Sequence, residues 1–112
     1  MKILHGIVKD ENVGSIRPLG NGVFENGEWA VSREVADELK NGGAIMLHAA
    51  QDAPSRHGGV IDDYTSRVAT RQTKNGPQQI TLYTFTYVFD DQYNNVVYNG
   101  TWGQNMKVED AP

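Results

Sequence analysis

Two periods of alternation organise this chain, and the shorter one dominates. Over residues 79–89, Tyr83, Phe85, Tyr87 and Phe89 fall on one side of a period-two pattern. Leu82, Thr84, Thr86 and Val88 fall on the other. Successive side chains of a β-strand point to opposite faces, so this is the longest strand predicted. The aromatic side fits the core face and the threonine side the wet one. Residues 2–8, 44–47, 60–64 and 96–102 read as further strands, and 66–71 continues the third of these after a bend. The run 44–47 has no polar member and is flanked by glycine, which suits a central strand. Residues 96–102 are expected to return beside 79–89, with Tyr98 and Trp102 joining its aromatic cluster. Glu25-Asn26-Gly27 separates short apolar runs at 23–24 and 28–31, and its Asn-Gly signals a hairpin loop. Residues 20–22 and 74–77 are turn signals, and 10–12 a polar turn. Pro18 keeps Arg17 out of helical space, so 15–18 is extended. Residues 90–95 read as a loop and 105–112 as a frayed tail in which Met106 and Val108 add an edge contact.

One segment carries the longer, helical period. Val35, Ala36 and Leu39 make an apolar stripe; Ser32 suits the N-cap and Glu34 the first turn. Gly42 is placed to end the segment in the left-handed conformation. This predicts a helix over 33–41, too short to stand alone and therefore packed on a sheet. Six or seven short strands, short connections and one helix predict a mainly β (α+β) fold. The expected form is a small bent antiparallel sheet or partly closed barrel with the helix over one end. The 112 residues fit a single domain, 1–112.

Composition narrows the function classes. Cysteine is absent, so no disulfide, thiolate nucleophile or thiolate metal site forms. The start of the chain lacks the apolar run of a signal peptide, and no stretch approaches the roughly 18 apolar residues of a membrane span. A cytoplasmic protein without a membrane partner is the expectation. Net charge is −4. A non-specific nucleic-acid coat would be basic, so that role is disfavoured. A narrow pocket for one base or nucleotide is compatible with this charge.

Candidate chemistry gathers between residues 48 and 59, read as a polar loop between two strands. It holds His48, Ser55, Arg56 and His57, with Asp52 and a Gly58-Gly59 pair. Loops on rigid strands commonly carry function. Serine catalysis would need a histidine base and an orienting carboxylate, and no nucleophile-elbow pattern is present. The two-histidine helical spacing of many zinc sites is missing too, so no catalytic residue, metal or cofactor is assigned. Arg56 suits a planar phosphate or carboxylate, and the glycines a close ligand approach. Trp29, just before the helix, either packs that helix or walls a pocket. The predicted ligand-binding set is Trp29, His48, Ser55, Arg56 and His57, all at one rim of the sheet. The alternative for each is structural: His48 capping loop backbone, Ser55 opening a turn after Pro54.

The order Trp29, helix 32–41, the strand Gly43-Ala44-Ile45-Met46-Leu47-His48 and then Gly58-Gly59-Val60-Ile61 resembles PUA-like domains, especially their EVE and ASCH branches. The resemblance covers roughly residues 28–64. Gly42-Gly43 stands where those strands usually open with Gly-Asp. The resemblance implies a small barrel with a non-catalytic pocket for a base or nucleotide-like ligand, Trp29, His48 and Arg56 near it. Three functions then compete. The first is a binding module with a pocket at 48–59. The second is a small acidic protein–protein interaction or regulatory protein, of bacterial or phage type, engaging a basic partner. The third is a small enzyme using a histidine as general base. A concave pocket walled by Trp29 would favour the first.

Overall fold

The computed structural model of the protein describes residues 1–111. Strands β1 (Lys2–Ile7), β2 (Arg17–Gly20), β3 (Val23–Trp29), β4 (Ala44–His48), β5 (Ser55–Thr73), β6 (Gly76–Phe89) and β7 (Met106–Asp110) form one sheet, with helix α1 (Arg33–Lys40) between β3 and β4. Their order is β2-β3-β6-β5-β4-β1-β7. β1 and β4 run parallel and every other neighbouring pair is antiparallel. The sheet is open, with β2 and β7 at its edges. The mainly β fold with one helix is therefore as the sequence predicts, in the open-sheet form.

The helix forms where its signals lie. Ser32 Oγ accepts a hydrogen bond from the Val35 N–H at 3.1 Å, and Gly42 stops the helix at φ +87°. Ala36 and Leu39 are buried against Leu4, Ile45, Leu47, Ile61, Trp29, Tyr83, Phe85 and Tyr87, which make the main core. Three of the four stripe aromatics lie in it, whereas Phe89 at the strand's end is 37% exposed. Ile3, Ala44 and Met46 form a second, smaller core with Tyr93, Val96 and Ala111. β4 is covered on both faces, as its unbroken apolar run requires.

Several local expectations are corrected. Residues 25–27 are no hairpin loop: β3 runs through them, with Asn26 opposite Phe85 and a bulge before Trp29. Asn26 is accepted there because its side chain is fully hydrogen-bonded inside the sheet, as described below. The tight hairpin turn is at Gly20–Gly22, where three successive residues have positive φ. The loop after His48 is shorter than 48–59, because β5 already begins at Ser55. β5 runs on through 62–73 and is the longest strand, 19 residues, with a register shift between Ile61 and Asp63 in place of a bend. Residues 96–102 form no strand beside β6, because β3 occupies that edge. The tail is no frayed end: Met106–Asp110 pairs antiparallel with β1, from Lys2↔Asp110 to Gly6↔Met106. Pro112, the last residue of that expected tail, lies outside the described residues.

The β5–β6 hairpin is longer than the sheet is wide. β4 pairs with β5 only as far as Val60, and β3 with β6 only as far as Tyr83. From the pair Arg67↔Leu82 to the turn at Lys74-Asn75, residues 67–82 form a two-stranded ribbon with both edges free.

Candidate functional site

His48 closes β4 and is completely buried. Its Nδ1 lies 2.9 Å from the Ala53 carbonyl, which only accepts, so that nitrogen carries hydrogen. Its Nε2 meets His5 Nδ1 at 3.1 Å, and His5 Nε2 meets Glu109 at 2.8 Å. In a neutral His48, Nε2 accepts and His5 donates from Nδ1. The His5–Glu109 contact then needs a proton between the two groups. Tyr98 stacks on His5, and Trp102 meets both imidazoles edge-on. Burial pulls His48 below its ordinary pKa against the Ala53 hydrogen bond, and the charge of His5 adds to the lowering. Burial also lowers His5, opposed by the hydrogen bond and charge of Glu109. All four imidazole nitrogens are spent on these partners, whereas the Trp102 indole N–H beside them is buried without a hydrogen-bond partner among the described residues.

Ser55 sits opposite His48 in the β4–β5 register. Its hydroxyl donates to the Tyr93 carbonyl at 2.7 Å and accepts from the Val96 N–H at 2.9 Å. The serine fastens the segment after β6 onto the sheet and is not aimed at a base. Arg56 is the extra residue where the register shifts between Leu47 and His48. Its guanidinium donates to the Val8 carbonyl and, at 2.6 Å, to Asp10, tying β5 to the turn that follows β1. His57 lies half-buried against the helix-side core: Nδ1 lies 2.7 Å from the Tyr87 hydroxyl, and Phe24 packs edge-on at 4.5 Å. Burial lowers the His57 imidazole and pushes the Tyr87 phenol up. Trp29 Nε1 donates to Asn26 Oδ1 at 2.8 Å, and its ring covers Gly6, where a Cβ would come within 2.6 Å of it.

The structure thus brings His48 and Ser55 together on one side of the sheet. It leaves Arg56 at the strand bulge, places Trp29 in the main core and sets His57 half-buried against that core. None of the three grooves described next is lined by His48, Ser55, Arg56 or His57. Among the described residues, no three histidine or acidic side chains are placed to hold a metal ion.

Concave surface lies elsewhere. A groove of about 320 Å³ runs over the β3 bulge between Ser15, Arg17, Glu25, Glu28, Thr65 and Thr84. A second, of about 280 Å³, shares Ser15, Gly27 and Glu28 with it and extends to Trp29, Asn12 and Asn105. Asn26 stands between them, its amide donating to Ser15 while its carbonyl holds Trp29. A third, of about 420 Å³, lies where the ribbon leaves the helix, between Arg33, Tyr64, Val68 and Thr81. No protein-family model, curated protein or solved structure matches this chain.

Sequence reasoning missed His5 and Trp102 as partners of His48, and Glu109 as the partner of His5, because they lie far apart in the chain. It also missed the ribbon. A signal for it was present: residues 64–89 contain Arg67, Arg71 and Lys74 and no acidic residue, in a chain with fourteen acids.

Proposed function

We propose that this chain is a non-catalytic binding protein that works by protein–protein contact through the β5–β6 ribbon. The observation that carries the reading is the free ribbon itself. Two-stranded hairpins without a third strand or a covering layer are marginal in water. This one holds 16 residues beyond its neighbours, exposes Val68 at 62%, and presents two rows of unpaired backbone groups. Such an edge is a template for another chain. Its three cations and lack of acids favour an acidic protein surface. The use of the His48 and Ser55 side chains as internal ties supports a role without catalysis.

The test is a titration with poly-glutamate at low salt, followed by backbone amide shifts. Saturable shifts confined to residues 67–82, lost in Arg71→Glu/Lys74→Glu, are the expected result. Shifts confined to other residues, or none, would remove the reading. Preferential binding of duplex DNA by the same amides would replace the acidic protein with a phosphate backbone.

A second reading rests on the paired grooves at the β3 bulge. Trp29 and Asn26 hold a polar opening there, and its amides, hydroxyls and carboxylates suit a small polar ligand. The resemblance to PUA-like domains points the same way, with Trp29 as the shared element. A nucleoside and nucleotide shift screen reporting on Gly27, Glu28 and Asn105 tests it.

A further inference from the structure

We infer that the ribbon's partner is an extended acidic segment of another protein, which adds as a strand along the free edge of β5 at residues 66–72, with an acid beside Arg71 and an apolar side chain beside Val68. The inference rests on the ribbon being a contact surface, and it adds the edge, the conformation and the side-chain pattern of what binds there.

The two free edges differ in what their backbone offers. The Phe89 N–H donates to the Gly22 carbonyl, on the side of β6 away from β5. Backbone groups alternate in direction along a strand, and no residue of β6 is skipped in its register with β5. Beyond Tyr83, the residues that face outward from β6 are therefore Thr81, Gln79 and Pro77, and Pro77 has no N–H to give. Proline on an outer edge blocks pairing with another chain. Opposite these residues on β5 stand Val68, Thr70 and Gln72, with Ser66 opposite Tyr83. Each of the four turns its N–H and its C=O outward, and none is proline. The open edge starts at Ser66. The next outward N–H toward the root, that of Tyr64, is taken by the Asp63 carboxylate at 2.8 Å, and that of Ile61 by the Gly43 carbonyl.

Side chains set the pattern. Ser66, Val68, Thr70 and Gln72 share the face of Tyr64 and Tyr83, where the groove of about 420 Å³ runs between Arg33 and the ribbon. Arg67, Ala69 and Arg71 take the other face. Arg67 is held by Glu28, whereas Arg71 and Lys74 make no ion pair among the described residues. A strand laid beside β5 thus meets an exposed valine on one face and an unpaired arginine on the other, three positions apart. The complementary segment carries an apolar residue and an acid at the same odd spacing. Strand addition draws affinity from main-chain hydrogen bonds and selectivity from such alternate side chains. It also supplies the third strand that the ribbon lacks.

The probe is a short peptide of alternating threonine and glutamate, with valine in the central threonine position, followed by backbone amide shifts of the full chain. Saturable shifts greatest at Ser66, Val68, Thr70 and Gln72 are expected. Thr70→Pro removes an outward donor without touching a β5–β6 hydrogen bond, and should weaken the peptide about tenfold or more. Gln79→Pro, at its partner across the hairpin, makes the same change on the β6 edge and should leave affinity unchanged. The amide shifts of Ile45 and Leu47 check the fold of both variants. The unmodified chain gives a second measurement that no folding defect can mimic. Only one edge of the peptide meets β5, so N-methylation of its glutamates and N-methylation of its threonines and valine should differ, one set abolishing binding and the other sparing it. Binding that survives Thr70→Pro in a folded chain, or that responds equally to both methylations, overturns strand addition. If poly-glutamate still shifts the ribbon in that case, the acidic contact stands and only the added strand is removed. A ribbon that ignores both the peptide and poly-glutamate overturns both.

Discussion

At the scale of single residues, the histidines and Ser55 act as fasteners, and their removal has readable costs. Ser55→Ala deletes the donor to Tyr93 and the acceptor for Val96 and leaves both backbone groups short of a partner. The expected loss is about 1–3 kcal/mol in denaturant unfolding. An unchanged midpoint would show that the segment after β6 is held by other means. The histidines set the acid side of the stability profile. His48 and His57 are held below their ordinary pKa by burial, so the unfolded chain binds protons more readily than the folded one. Stability is then complete above the unfolded histidine value of about 6.5 and falls as the pH drops through and below it. His5 is lowered by burial in the same direction, with Glu109 opposing it. Unfolding midpoints measured from pH 8 down to pH 5 should fall, and His57→Phe should flatten part of the slope. Midpoints that rise toward pH 5 would contradict the assignment. Residue types in this region were legible in the sequence; their roles were not. A period-two pattern tells which side of a strand a histidine occupies. It does not tell that residue 109 will reach residue 5.

At the scale of elements, what was legible follows from short-range physics. The helix was readable because cap, stripe and stop signal all fall within a dozen residues. β4 was readable because a strand covered on both faces must be apolar throughout. The stretch 25–27 was not, since Asn-Gly also suits a bulge when a distant partner satisfies the asparagine. Here Ser15 and Trp29 supply that partner. β7 and the β3–β6 pairing were invisible for the same reason, because strand pairing between remote segments leaves little local trace. The close fit of β1 to β3 gives a prediction at this scale. A Cβ at Gly6 would sit 2.6 Å from two carbons of the buried Trp29 ring. The ring is fixed by its hydrogen bond to Asn26 and cannot give way freely. Gly6→Ala should cost about 1–3 kcal/mol by overpacking. It should also move Trp29 fluorescence and the amide shifts of Asn26 and Ser15. A variant with wild-type stability and spectra would mean that the bulge yields to the methyl.

At the scale of the whole molecule, the sheet has a stable end and a bare end. Nearly all buried apolar side chains gather around α1, β1, β4 and the adjoining parts of β3, β5 and β6. The ribbon beyond residue 67 contributes no buried residue. Local opening follows buried contact, so the amides of the ribbon should exchange with solvent well before those of Ile45 and Leu47. In the isolated chain, those bonded across the hairpin from β5 to β6 would be slowed a little and those on the outer edges not at all. A partner strand bound to the ribbon would separate the two edges. If β5 is the buried edge, outward-facing amides between residues 65 and 73 gain protection on association, and those of residues 76–82 do not. The Arg71→Glu/Lys74→Glu variant should show no such difference. Protection on the β6 edge alone would move the interface to the other side of the ribbon. Equal protection on both edges in the monomer would mean that the hairpin is stable unaided, and the physical reason for expecting a third strand would be gone.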